Sequence, residues 1–347
     1  MKDRRRLVAV GLAAATAALG VVVAYRFVAQ RMAGPAPLAH ADAGSGAPAQ
    51  APDASEPADA EPDEAADASA DAADDDLSTT DAGSPVWKGC PPEMVRVGRI
   101  CIDRWEATLV DRRTKEPLSP HYPPVPKLCE TLERRWDRER ATMGGPEAQA
   151  IPVPPLPALQ RGHFEPMAVS KPGVKPAGYL SGVVAQKACE AANKRLCRAS
   201  EWIRACEGEA RRQYPYGDKY EAGRCNIFRA HHPAVTLHDN PSIGHLDPRL
   251  NLVKEGNDPL LRVTGATKSC ASVWGPDALY DMNGNIDEWV LDDAEPPPDG
   301  DEKLGYKFVG GFFSRSKKDG CLSAVKNHGK TYFDYSTGVR CCREALR

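Results

Sequence analysis

Two groups of residues in this chain have the types and spacing for chemistry. The run Asp281-Met-Asn-Gly-Asn-Ile-Asp-Glu288 gathers oxygen donors. A hard cation such as Ca2+ takes roughly six to eight oxygens from carboxylates and carbonyls. The opening D-x-N-x-N is shared with EF-hand loops, but Ile286 falls where that loop needs glycine, which excludes an EF-hand. Without a cation the run reads as an ordinary Asn-Gly turn. The second group is eleven cysteines, all from Cys90 onward. They lack the paired CxxC spacing of zinc sites and read as disulfides, which need an oxidising compartment. The odd count leaves one thiol over, and Cys129 is the candidate. Cys90 and Cys101 flank a short turn and could pair across it. His231, His232 and His238 lie within eight residues and could hold a metal, although a polar surface loop is the simpler account of them. No G-x-S-x-G, H-E-x-x-H or Gly-rich phosphate loop occurs, so no catalytic residue is assigned. Trp202, Trp274 and Trp289 read as core, and Glu288 with Asp292 as loop carboxylates.

The elements that would position these residues are short. Met94–Val97 alternates, Gly98-Arg99 turns and Ile100–Ile102 returns, which predicts a hairpin. Residues 112–178 are Pro-rich and read as a surface excursion with one charged helical patch over Leu128–Arg140. Val183–Asn193 carries a small-residue helical face, and a second helix is expected over Ser200–Glu207, stopped by Gly208. Phe308–Phe313 and Gly338–Cys342 read as short closing strands. The sum is an α+β, loop-rich, disulfide-stapled domain over residues 86–347.

The rest of the chain reads as a delivery device. Lys2, Arg4, Arg5 and Arg6 precede an apolar run from Leu7 to Tyr25, long enough for a membrane-spanning helix. The basic flank belongs on the cytoplasmic side. No small-residue cleavage site follows closely, which favours an uncleaved signal-anchor over residues 1–31 against a cleaved signal peptide. Residues 32–85 hold 13 acidic residues and no Lys or Arg, the composition of a disordered acidic Ala/Pro linker. The chain would then be a single-pass membrane protein with its bulk outside the cytoplasm, in a periplasm or beyond the cell. The net charge is -3. No basic run with interleaved aromatics appears, so nucleic acid is not expected as a partner.

Several segments, in order, resemble one family. Cys189-Glu-Ala-Ala-Asn-Lys-Arg-Leu-Cys-Arg-Ala-Ser-Glu-Trp-Ile-Arg-Ala-Cys206 is similar to its helix pair, A-G-K-R-L-P-T-E-A-E-W-E. Tyr214-Pro-Tyr-Gly217 resembles its Y-P-W-G turn, and Leu279–Val290 its L-Y-D-M-x-G-N-V-W-E-W segment. Gly310-Gly311 and Gly338-Val-Arg-Cys341 resemble its G-G-S-W and G-F-R-C landmarks. The family is that of the formylglycine-generating enzyme, or sulfatase-modifying factor. The resemblance implies its compact α+β fold, distantly like C-type lectins.

The resemblance also implies ligands and pairings. A structural Ca2+ would take side-chain oxygens from Asp281 and Glu288 and carbonyls from Gly284 and Ile286. A second family site would use Asn226 and Ile227 near Asp239. The family pattern pairs Cys189 with Cys341 and Cys206 with Cys321, leaving Cys197 for Cys342 and Cys225 for Cys270. The family's oxidases hold Cu(I) with two thiolates, the first just after G-G-S-W. Here Phe312 stands for that serine, Arg315 for that cysteine, and Cys321 matches a structural cysteine, so no copper is expected. The family's groove admits an extended peptide, which makes a peptide or envelope protein the expected partner of a non-oxidase binding or structural module. The alternative is an enzyme of the same fold with other metal-dependent chemistry, maturing an exported peptide. A carbohydrate ligand would rest on fold analogy alone.

Overall fold

The computed structural model describes residues 89–293, 305–314 and 319–345. The anchor, the linker and Arg315 lie outside them. Among the described residues no helix is long and apolar enough to cross a membrane.

The expected hairpin is β1 (Met94–Val97) and β2 (Ile100–Asp103), paired antiparallel around Gly98, whose φ is 60°. It is followed by β3 (Ala107–Asp111), helix α1 (Leu128–Glu139), the short α2 (Pro146–Ala150) and β4 (Pro166–Ser170). Helix α3 (Gly182–Ala191), β5 (Arg195–Leu196) and α4 (Ala199–Glu207) form the helix pair. Ser181 caps α3 by accepting the Val184 N–H, and Gly208 (φ 67°) ends α4. Then come α5 (Pro233–His238) and the strands β6 (Lys254–Glu255), β7 (Asp258–Pro259), β8 (Ala271–Trp274), β9 (Asp277–Tyr280) and β10 (Asp287–Leu291). The domain closes with β11 (Tyr306–Val309), β12 (Ala324–Val325), β13 (Thr337–Val339) and β14 (Cys341–Glu344).

Two four-stranded sheets organise these pieces, in the orders β1-β2-β14-β5 and β12-β11-β10-β13. The stretch expected as one strand over Gly338–Cys342 is two: β13 lies parallel to β10 in one sheet, and β14 lies antiparallel to β2 in the other. Arg340 is the residue at the crossing. The strand expected over Phe308–Phe313 ends at Val309, because Gly310 and Gly311 have φ of 89° and 81°.

One correction concerns residues 112–178, which are not a surface excursion. Cys129, Leu132 and Trp136 fall on one face of α1 and are buried in the main core with Leu109, Phe164, Ala188 and Trp289. β4 pairs with β3 across the whole of the intervening segment. Proline-rich connections hid this in the sequence, because β4 is five residues long and its partner lies about 55 positions away.

Five disulfides staple the domain: Cys90–Cys101, Cys189–Cys341, Cys197–Cys342, Cys206–Cys321 and Cys225–Cys270. Successive strand residues face opposite sides. The adjacent Cys341 and Cys342 therefore reach different partners, one in α3 and one just after β5. Cys189–Cys341 spans 152 residues, and such a closure restricts the unfolded chain by about 5 kcal/mol in the chain-entropy account. Cys129 is left free and fully buried, its Sγ turned to the carbonyls of Pro123 and Val125. Burial raises its thiol pKa, which keeps it unreactive. Iodoacetamide is thus expected to leave the native domain unmodified. In denaturant without reductant it should add one label, at Cys129; a label on any other cysteine in a peptide digest would contradict the pairing.

Candidate functional site

The 281–288 loop joins β9 to β10 and is buried along its whole length. Its shape needs left-handed backbone at Asp281 (φ 59°), Gly284 (φ 91°) and Asn285 (φ 62°). At Gly284 a Cβ would lie 2.4 Å from the Asn226 carbonyl, so only glycine fits. Asn285 is the hub of the loop. Its N–H donates to the Asn226 carbonyl (2.8 Å), and its Oδ1 accepts from Asn226 Nδ2 (2.9 Å) and the Arg262 N–H (2.9 Å). Its Nδ2 donates to Glu106 Oε2 (2.7 Å). Asn283 donates to the Gly310 carbonyl, and Gly311 N–H donates to Asp287 Oδ1. The loop is thus fastened to the Gly-Gly turn after β11.

Glu288 lies at the start of β10 against Arg340. The guanidinium donates to both Glu288 oxygens through Nε (3.1 Å to each) and to Oε1 through Nη2 (3.0 Å). Trp202 Nε1 donates to Glu288 Oε2 at 2.6 Å. The remaining Arg340 donors go to the Asp103 and Tyr280 carbonyls, both at 2.7 Å. Arg340 and Glu288 are both almost wholly buried. Removing one member of such a pair leaves an uncompensated charge and typically costs about 3–5 kcal/mol.

Glu106, on the segment entering β3, faces the same space and is fully buried. Its Oε1 has no hydrogen-bond partner. Burial holds its carboxyl well above the ordinary range, and the charges of Asp281 and Glu288 push it the same way. Burial also pushes Asp281 up to about 6, against the Gly265 N–H that donates to its Oδ2 (2.6 Å). Three carboxyl groups therefore share one guanidinium.

The four residues carried over for calcium sit along this loop, but they do not all offer free oxygens. Both Glu288 oxygens are held by Arg340 and Trp202, and the Gly284 carbonyl accepts the Ile286 N–H (2.9 Å). The unpartnered buried oxygen belongs to Glu106. The set fits a cation in part, through Asp281 and Glu106. At the second family site Asn226 donates to the Leu260 carbonyl and to Asn285, while Asp239 ends α5.

The Gly-Gly turn leads into an aromatic cluster. Phe312 makes edge-on contacts with Phe313 (5.3 Å between centroids), Tyr335 (5.8 Å) and His232 (6.4 Å). Burial lowers the His232 pKa, and its Nε2 lies 3.3 Å from the Tyr335 hydroxyl. No thiol is near: ten cysteines are in disulfides, and Cys129 is in α1. The three neighbouring histidines do not converge. Exposed His231 pairs with half-buried Glu255, while His238 is buried between Trp136 and Asp247. Among the described residues no three His, Cys, Asp or Glu group to hold a metal. Trp202 and Trp289 are fully buried, Trp274 is half-buried, and Asp292 pairs with Lys307 away from Glu288.

The sequence reading missed Glu106 and the role of Arg340. Each stands in the sequence as a lone charge beside apolar residues, Glu106 before Ala107–Val110 and Arg340 between Val339 and Cys341, and only the partners that the fold brings to it give it its role.

The family model described as the sulfatase-modifying factor enzyme 1-like domain matches residues 166–345, more than half of the chain. The chain belongs to that family and has its formylglycine-generating-enzyme-like fold. The crystal structure of CarF is similar at 15% identity and a TM-score of 0.34, covering 71% of this chain and 86% of that one. The structure of PvdO from Pseudomonas aeruginosa is similar at 14% identity and a TM-score of 0.32, covering 71% and 80%. No curated protein matches the chain.

The raised Asp281 carboxyl gives a signed pH dependence. Between about pH 4 and 6 the folded chain holds a proton that the unfolded chain releases, so Asp281 weakens the fold as pH rises through that window. Asp281→Asn keeps an acceptor for Gly265 and removes the charge. Relative to wild type, it is expected to gain up to about 3 kcal/mol between pH 4 and 7 in urea unfolding with chelator present. A constant difference across that range would place the Asp281 pKa at its ordinary value.

Proposed function

We propose that this chain is a membrane-anchored, extracytoplasmic member of its family that acts as a peptide- or protein-binding module without copper oxidase chemistry. The observation that carries this is that every cysteine but the buried Cys129 is in a disulfide, which leaves no open thiol pair, while the chain after the Gly-Gly turn enters an aromatic cluster of Phe312, Phe313 and Tyr335. Soft thiolates hold Cu(I), and phenyl rings cannot. Five disulfides support an oxidising compartment. The basic flank and the apolar run over residues 7–25 support an anchor.

The test loads the full chain with Cu(I) and follows oxygen uptake with a cysteine-containing peptide. Uptake no greater than that of free copper is expected; multiple turnovers per chain would assign an oxidase instead. Alkaline carbonate extraction of membranes should leave the chain in the pellet.

A structural calcium ion at the 281–288 loop belongs to the same reading. Asp281 and the unpartnered Glu106 Oε1 support it, because a dication would balance the carboxyl excess around Arg340. Melting in millimolar calcium should then exceed melting in chelator by several degrees. Equal melting temperatures remove calcium from the account.

A further inference from the structure

The outer edge of β4 is unused by the fold. β4 pairs with β3 on one side only. Among the described residues no backbone group of Met167, Ala168 or Val169 is hydrogen-bonded outside that pairing. A cavity of about 570 Å³ lies against Met167, Ala168, Val169 and Ser170. Successive strand side chains point to opposite faces, so only the edge of a strand presents four consecutive residues to one cavity. The far wall is the end of α3 and the turn after it, Ala191–Lys194.

The charges over this edge are mixed, and one of the cations, Lys115, is unpaired by any carboxylate among the described residues. Arg112, Lys115 and Lys194 line the cavity against Glu93 alone. Lys194 is turned inward onto Asp103 (2.5 Å), and Arg112 holds an exposed pair with Glu165. Lys115 has no carboxylate partner among the described residues; its Nζ rests 3.4 Å from Met167 Sδ, directly on the strand. A lysine on an open edge normally guards it against chance pairing. Facing an acidic segment, the same lysine becomes an attraction. Past Arg112 and Ala191 the groove continues into a second cavity of about 460 Å³, whose apolar part is Pro124, Pro126, Phe164 and Val184.

We infer that the β4 edge binds an extended peptide as an added strand, with a carboxylate side chain over Lys115 and an apolar side chain in the hollow beside Phe164. Main-chain pairing supplies affinity in this mode, and the side-chain pockets supply selectivity. The inference rests on the peptide-binding reading above and gives that reading a place.

The experiment is hydrogen exchange by mass spectrometry on the full chain in detergent. The probe is a capped hexapeptide alternating valine and aspartate, compared with a valine–lysine analogue and a copy N-methylated at alternate residues. The valine–aspartate peptide should slow exchange over Met167–Val169 by at least tenfold, and neither control should. Lys115→Glu, an exposed change, should weaken binding by about tenfold. Equal protection by the N-methylated copy would overturn strand addition. Protection around Phe312 and Tyr335 instead would leave a peptide-binding module but remove this site. Absence of protection anywhere would overturn the site and count against the module.

Discussion

Arg340 sits where the chain passes from one sheet to the other, and a buried guanidinium cannot be left alone there. Its counter-charge is Glu288, at the head of the strand that β13 lies along. Its other donors reach the ends of β2 and β9 through main-chain carbonyls. One side chain, at the turn between β13 and β14, thus ties down three strands from separate parts of the chain: β2, β9 and β10. Trp202 adds α4 through the same carboxylate. Burying two charges is costly, and the cost is offset only when every donor finds an acceptor at this quality. The arrangement specifies where the strands meet more than it stabilises them.

Around that contact the domain has few long elements, and its order comes from cross-links. The two sheets, the helix pair and the 281–288 loop are joined by disulfides and side-chain hydrogen bonds rather than by continuous ladders. Past the Gly-Gly turn, Phe312 and Phe313 extend the core through their contacts with Tyr335. What the fold leaves free is periphery: strand edges and shallow grooves.

The fold was legible where the pattern is local. The β1–β2 hairpin follows from alternation around Gly98-Arg99, and α3 from its small-residue face, each within a residue or two. The family resemblance brought cysteines more than 100 residues apart into consideration as pairs, which periodicity alone cannot do. The sequence did not reveal the β3–β4 pairing, because a five-residue strand has too little alternation to announce a distant partner. Nor did it reveal that Arg340 breaks one apparent strand into two, since a buried charge and an exposed one look alike without their neighbours. Of the site, the loop residues were visible as oxygen donors, whereas Glu106 was not, because its role depends on Asn285 almost 180 positions away.

The adjacent pair Cys341 and Cys342 has a consequence for the order in which the domain closes. Synthesis runs from the N-terminus, so these two residues follow their partners Cys189 and Cys197 by about 150 positions. Cys189 and Cys197 therefore emerge well before their partners, and the α3–α4 region must wait as free thiols while some 145 residues follow. During that interval the early cysteines can reach each other or a wrong neighbour. The domain's final geometry is locked only when its C-terminal strand arrives, so a chain shortened by a handful of residues would lose the closure of both long loops at once.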